Sequence, residues 1–321
     1  MLRLVTLSLI WGWSFLFIKV AGEGIAPATI AWARIALGAL ALWAFVRQQG
    51  LRVPGDRVML RHFAVVAVAG NVLPFTLLAW AEQHITSALT SVLNASTPLF
   101  TALFAALALS ERLRPVQLVG LAAGVVGVAV AAGFGAADLS GSSALASVAA
   151  ASAGAGYGAA FVYMRRHLTG PTGLPPLVAA TGQLTTGAVL MLPVAAGATA
   201  VGGLELTPSR LASIVLLGAM GTGVAYVLSY GIIADLGPTK ASLVTYLIPV
   251  VAVVVGIAVL DEPFEWRIVA GGLVTIAGIA AVNRRAPTED SSGDQASPRS
   301  AGALRSRMAS ISSWVRPARG T

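Results

Sequence analysis

Apolar residues in this chain come in long runs, separated by short clusters of charge, glycine and proline. Marking those breaks predicts ten helices. The first five are Leu2–Val20, Pro27–Val46, Arg61–Ala81, Thr86–Leu109 and Pro115–Phe134. The second five are Ser143–Met164, Pro175–Ala196, Pro208–Ala234, Thr239–Leu260 and Trp266–Val282. These runs are close to the ~20 residues an α-helix needs to span hydrocarbon. The sixth is weakly hydrophobic, with an Ala/Gly run from Ala144 to Ala160 that suits burial against other helices better than contact with lipid. The first run has the length of a signal peptide, but Lys19-Val20-Ala21 is not a small-x-small cleavage site and many spans follow, so it reads as a membrane helix.

Composition agrees with the pattern. Of 321 residues, 56% are hydrophobic and only 11% charged, against about 25% charged in soluble domains. A soluble fold of this size lacks the polar side chains to cover itself, which excludes soluble enzymes, nucleic-acid binders and secreted scaffolds. The net charge of +8 is explained by orientation. Alternating sides across ten spans puts Arg3, Arg47, Arg52, Arg57, Arg61, Arg112, Arg114, Arg165, Arg166, Lys240 and the tail on one face, against Lys19, Arg210 and Arg267 on the other. Positive residues gather on the cytoplasmic side, so both termini are expected there. There is no cysteine, and the three histidines (His62, His84 and His167) are too scattered along the sequence to suggest a metal site. Residues 284–321 are rich in Ser, Arg, Gly and Pro and read as a basic, disordered cytoplasmic tail. Within it, Leu304, Met308, Ile311, Trp314 and Val315 recur at a spacing that also suits a helix lying on an anionic membrane.

The chain repeats itself. At a constant offset of 151, Ser91 meets Ser242, Pro98 meets Pro249, Leu109 meets Leu260, Glu111 meets Glu262, Gly120 meets Gly271 and Gly127 meets Gly278. Earlier in each half the match needs short insertions: Trp11-Gly12 and Lys19 against Tyr157-Gly158 and Arg165, and Arg34 against Gln183. Residues 1–134 and 143–283 therefore form two five-helix repeats. Because five is odd, the second enters the membrane inverted, an architecture used by transporters that alternate access around a central site.

These same residues carry a family resemblance. Trp11-Gly12, Lys19, Arg34 and the duplicated helix–Pro–helix–Glu–loop–Gly pattern around Pro98/Glu111/Gly120 and Pro249/Glu262/Gly271 resemble the EamA-type transporters of the drug/metabolite transporter superfamily. The resemblance covers about residues 5–283. It implies a multi-pass carrier of the bacterial inner membrane, most often an exporter of amino acids, related metabolites or toxic compounds.

Candidate site residues follow from polar groups at depth. Arg34 lies mid-span, where a cation costs several kcal/mol unless it finds a partner or a cavity. It suits either attraction of a substrate carboxylate or a clamp on main-chain carbonyls. Ser87, Thr90, Asn94, Thr97 and Thr101 form one stripe beside Pro98, either lining a path or joining helices. Asn71, Asn94, Thr97, Tyr157, Gln183, Tyr226 and Tyr246 complete the expected substrate-binding set with Arg34. No span carries a central Asp or Glu; Glu82 and His84 near an entrance are the candidates for proton coupling, and proton antiport and facilitated diffusion both stay open. Helix capping accounts for Glu111 and Glu262, each set just ahead of the next helix start. Gly120-x-x-x-Gly124, Gly154-x-x-x-Gly158 and Gly271-x-x-x-Thr275 permit close helix approach, more economically inside the bundle than in a dimer.

The expected activity is a secondary exporter of small amino-acid-like or drug-like solutes working by alternating access. A lipid or polyprenyl-carrier flippase on the same scaffold is the alternative. No phosphate-binding loop, metalloenzyme motif or channel-filter motif is present, so no enzyme activity, cofactor, metal or nucleic-acid partner is expected. The partners are a small-molecule substrate and membrane lipids.

Overall fold

The computed structural model describes residues 2–109, 113–133, 141–169, 173–232 and 243–283. The helices are α1 (Leu2–Gly22), α2 (Pro27–Gln48), α3 (Arg57–Ala81), α4 (Ser87–Leu109) and α5 (Pro115–Ala132). They continue with α6 (Gly141–Leu168), α7 (Pro176–Gly202), α8 (Pro208–Ile232), α9 (Leu243–Leu260) and α10 (Trp266–Val282). The first nine are long and apolar enough to cross a membrane; α10 is a shorter apolar helix. In lipid a helix satisfies its own main chain, which is why spans take this form. Large side chains such as Val119, Val126, Val189, Leu192 and Val194 stand exposed on the outer faces of α5 and α7, as a lipid-facing surface requires. Glu111, Asp235, Lys240, Ser242 and the tail lie outside the described residues.

The inversion is written in the packing. Exchanging each helix with its counterpart five positions on turns the α1–α9 contact into α6–α4, α2–α8 into α7–α3, and α1–α8 into α6–α3; all of these pack. The pairs α2–α7, α4–α9 and α5–α10 map onto themselves, and they pack as well. A pseudo-two-fold axis therefore runs through the bundle.

Side-chain contacts also sort the connections to two ends. At one end, Lys19 meets the α3–α4 connection, that connection meets Glu262, and Arg210 bridges Glu205 and Glu23. At the other, His62 meets Tyr163, Arg166 meets Ala108 at the end of α4, and Gln117 meets Val282. This is the alternation that ten spans demand.

Small residues set the helix separations. The Ala/Gly run of α6 is buried, as its weak hydrophobicity implied, with Ala146, Ala150, Ala153, Gly154 and Gly158 against α3 and α4. The glycine pairs of α5 and α10 pack on each other within the bundle. A Cβ on Gly278 would fall 2.5 Å from the Gly120 carbonyl oxygen and 2.6 Å from the Gly124 nitrogen, main-chain atoms with no rotamer to yield.

Among the described residues four helices depart from regular α geometry, α6 only in a π-helical last turn at Arg165–Thr169. α3 widens to a π-helical turn at Val68–Val72 and α8 at Leu216–Val224, matching places in the two repeats. α4 breaks at Ala95–Ser96. Pro98 lacks the N–H that would bond the Asn94 carbonyl, and the Thr97 hydroxyl donates to that oxygen instead, at 2.8 Å.

Gly278→Ala is expected to lower stability by about 1–3 kcal/mol through overpacking. Gly197→Ala, the same change at a site with open space, should leave it unaltered; thermal unfolding of the purified protein in detergent compares the two.

Candidate functional site

Arg34 is held on the inner face of α2, 7% exposed. Its Nε donates to Thr222 Oγ1 at 3.0 Å, and its guanidinium lies 4.0 Å from the centroid of the Phe75 ring. Such a cation–π contact offsets part of the desolvation cost of a buried cation. Tyr157 and Tyr226 stand close enough to act on its charge. Tyr157 meets Phe75 edge-on at 6.3 Å between centroids, and Tyr226 meets Tyr230 at 6.2 Å. Among the described residues no main-chain carbonyl accepts from the guanidinium and no carboxylate pairs with it, so the clamp geometry is not adopted.

Asn71, fully buried, donates from Nδ2 to Tyr226 Oη at 3.0 Å. Its Oδ1 has no partner, and neither does Oε1 of Gln183, which is also buried. Gln183 lies on the same α7 face as Ala180 and Gly187, and Gly187 approaches Ile35, Ala67 and Val72. Two acceptors without donors in a protein interior are costly to leave unsatisfied, and they mark a place where a donor belongs.

The site falls on the pseudo-two-fold axis. The offset of 151 that pairs Pro98 with Pro249 also pairs Gly70 with Gly221, Asn71 with Thr222, and Phe75 with Tyr226. Asn71 and Thr222 both lie in the widened turns, on the buried side of each. Arg34 and Gln183 are the remaining counterparts, a cation in one half and a neutral amide in the other.

Thr222 and Phe75 were not among the residues singled out from the sequence. Carrying the same offset backwards through the third helix of each repeat would have found them. Gly221 and Gly223 flank Thr222, and Gly38 lets its side chain approach α2: a Cβ on Gly38 would lie 2.6 Å from Thr222 Cγ2.

The other expected residues are placed elsewhere. Tyr246 packs with Leu99, Ile279 and Val282 and accepts from Asn283 Nδ2 at 3.0 Å, in a different cluster from Arg34. Asn94 and Thr97 flank the α4 break. Much of the hydroxyl stripe is spent on nearby carbonyls of its own segment: Thr90 on Thr86, Thr97 on Asn94 and Thr101 on Thr97. Asn94 Oδ1 stays buried without a partner.

At the Lys19 end, Glu82 is 1% exposed, whereas His84 is exposed and its ring lies tilted against Trp80. Glu262 does cap a helix, but not the one that follows it. Its carboxylate accepts from the Ser87 and Ala88 N–H groups at 2.8 and 3.3 Å, the start of α4 in the other repeat. At the opposite end the fold stacks His62 on His167, 5.4 Å apart, two histidines that sequence separation kept apart. No group of three metal ligands occurs among the described residues.

The family model described as the EamA-like transporter family matches residues 1–133 and again 144–284. The chain belongs to that family. It is 30% identical over 277 residues to a probable terminal-alkyne amino-acid exporter of Streptantibioticus cattleyicolor, covering 86% of this chain and 90% of that one. It is 28% identical to the inner membrane transporter YedA of Escherichia coli (85% and 87% covered) and 23% identical to the transporter YoaV of Bacillus subtilis (87% and 94% covered). A solved crystal structure shares the fold with a TM-score of 0.62 at 18% identity, covering 88% of this chain and 96% of that one. The chain is thus a multi-pass membrane protein of a transporter family.

Tyr226→Phe removes the acceptor of a buried amide N–H and is expected to cost about 0.5–2 kcal/mol. Adding Asn71→Leu should cost less than the sum of the two single changes, which a double-mutant cycle on unfolding free energies measures.

Proposed function

We propose that this protein is a secondary exporter of small amino-acid-like solutes, and that it binds the solute carboxylate at Arg34. The observation that carries this reading is a buried guanidinium on the pseudo-two-fold axis with no anionic partner among the described residues. An uncompensated buried charge is expensive, and a bound carboxylate removes that cost while fixing the orientation of the solute. The unpartnered oxygens Asn71 Oδ1 and Gln183 Oε1 suit the ammonium group of the same solute. The rings of Phe75, Tyr157, Tyr226 and Tyr230 suit an apolar side chain. The Streptantibioticus relative, a probable terminal-alkyne amino-acid exporter, supports the same chemistry.

In this reading residues 1–134 and 143–283 rock as two halves about the Arg34 site, exposing it alternately at the Lys19 end and the Arg166 end. The excess of Arg and Lys at the Arg166 end supports a cytoplasmic position for that end and for both termini in a bacterial cell, with export proceeding toward the Lys19 end.

Proteoliposomes loaded with labelled neutral amino acids, their deaminated acids and their decarboxylated amines test the assignment. Wild-type protein should exchange the amino acids and exclude the amines. Arg34→Gln should lower exchange by about 10–100-fold, the worth of a charge-assisted hydrogen bond, with unchanged elution and unfolding temperature. Arg34→Lys should retain part of it. Exchange at the wild-type rate by Arg34→Gln would remove the carboxylate from the site.

A further inference from the structure

Two carboxyl groups and a lysine converge on the connection between α3 and α4, a feature the substrate site does not use. Lys19, at the end of α1, donates from Nζ to the main-chain carbonyls of Glu82 and Ile85, at 2.6 and 3.1 Å. Glu262, after α9, receives the N–H groups of Ser87 and Ala88. Ser87 then joins the two acids: its N–H goes to Glu262 and its hydroxyl donates to Glu82 Oε2 at 3.2 Å. Ile85 and Ser87 are both buried here, so α1, the α3–α4 connection and the end of α9 close this end of the bundle.

Glu82 differs from Glu262 in what it is given. Two main-chain N–H groups at a helix start stabilise the Glu262 charge. Glu82 has one serine hydroxyl on Oε2, while its Oε1 is buried without a partner. The Lys19 hydrogen bonds go to carbonyls rather than to its carboxyl group. Burial pushes Glu82 well above the usual carboxylate range and the nearby Glu262 adds to this; Lys19 from α1, the Ser87 hydroxyl and the more distant Arg34 from α2 act the other way.

We propose that Glu82 is a proton-binding site: its carboxyl group is neutral when the Lys19 end is sealed and ionises when that end opens to water. Sealing therefore takes up a proton. By linkage, acid favours the sealed state and rising pH favours the open one. Glu82 lies just past the end of α3, at the Lys19 end of the bundle, and the role proposed for it is to bias the conformational equilibrium. This inference is independent of the solute that Arg34 binds.

The absence of cysteine makes the test direct. Ile85→Cys places a thiol in the seal, and Gln83→Cys, at an exposed position beside it, gives the reference rate that cancels the intrinsic pH dependence of the thiol. Both are labelled with a maleimide in lipid nanodiscs without substrate. The Ile85→Cys rate, relative to the reference, should rise at least about fivefold from pH 5.5 to pH 8, within the limit of tenfold per unit for one linked proton. Adding Glu82→Gln should make the ratio low and flat, while Glu82→Asp should keep a pH-dependent rise. Glu262→Gln, which loosens the cap and removes the neighbouring charge, should raise labelling at pH 5.5. A flat wild-type ratio, or an undiminished rise in folded Glu82→Gln, would overturn the proposal. Should Glu82→Gln fail to fold, a flat ratio in Glu82→Asp would overturn it equally. Failure of the Arg34 exchange experiment would leave this result unaffected, because no solute is present.

Discussion

Hydrocarbon offers no hydrogen bonds, and that single constraint governs where this bundle is regular and where it is not. Along most of each span the main chain satisfies itself. Helix ends and breaks cannot, and at several of the ends the missing partner comes from the other half of the chain or from another helix. Glu262 supplies the start of α4, Lys19 the end of α3, and Arg166 the end of α4. These three charged residues are thus spent on main-chain groups of other segments.

The interior is irregular where the two halves meet. The π-helical turns of α3 and α8 bring Asn71 and Thr222 to equivalent places, and the Gly-flanked Thr222 comes close enough to α2 to hold Arg34. Symmetry in the scaffold is combined with asymmetry in charge: at matching positions the first half carries the Arg34 guanidinium and the second the Gln183 amide.

Much of this was legible before any coordinates. Ten runs, the alternation of basic connections and the offset of 151 specified the helices, the inversion and the counterparts Pro98/Pro249 and Gly120/Gly271. Arg34, Asn71, Tyr157, Gln183 and Tyr226 were identifiable because polar groups at membrane depth need a reason. Tyr246 looked equivalent by the same argument, yet it packs near the end of α10, because depth along a helix says nothing about which neighbour the side chain faces. Glu262 was legible as a cap, but the helix it caps was not, since nearest in sequence and nearest in space differ once α4 and α9 pack on each other.

The sequence by itself determined the architecture, because spanning length, charge bias and internal repetition are properties of the chain that lipid reads directly. It also determined that a cation must be buried in the second span. Only the tertiary structure decided which groups surround that cation and which leave it alone. Contacts between helices depend on rotation about each axis and on how near small residues such as Gly38, Gly120 and Gly278 let two main chains approach. Those quantities are set by all the helices packing at once, so the pairing of Arg34 with Thr222 and Phe75, and of Ser87 with two acids, exists only in the folded bundle.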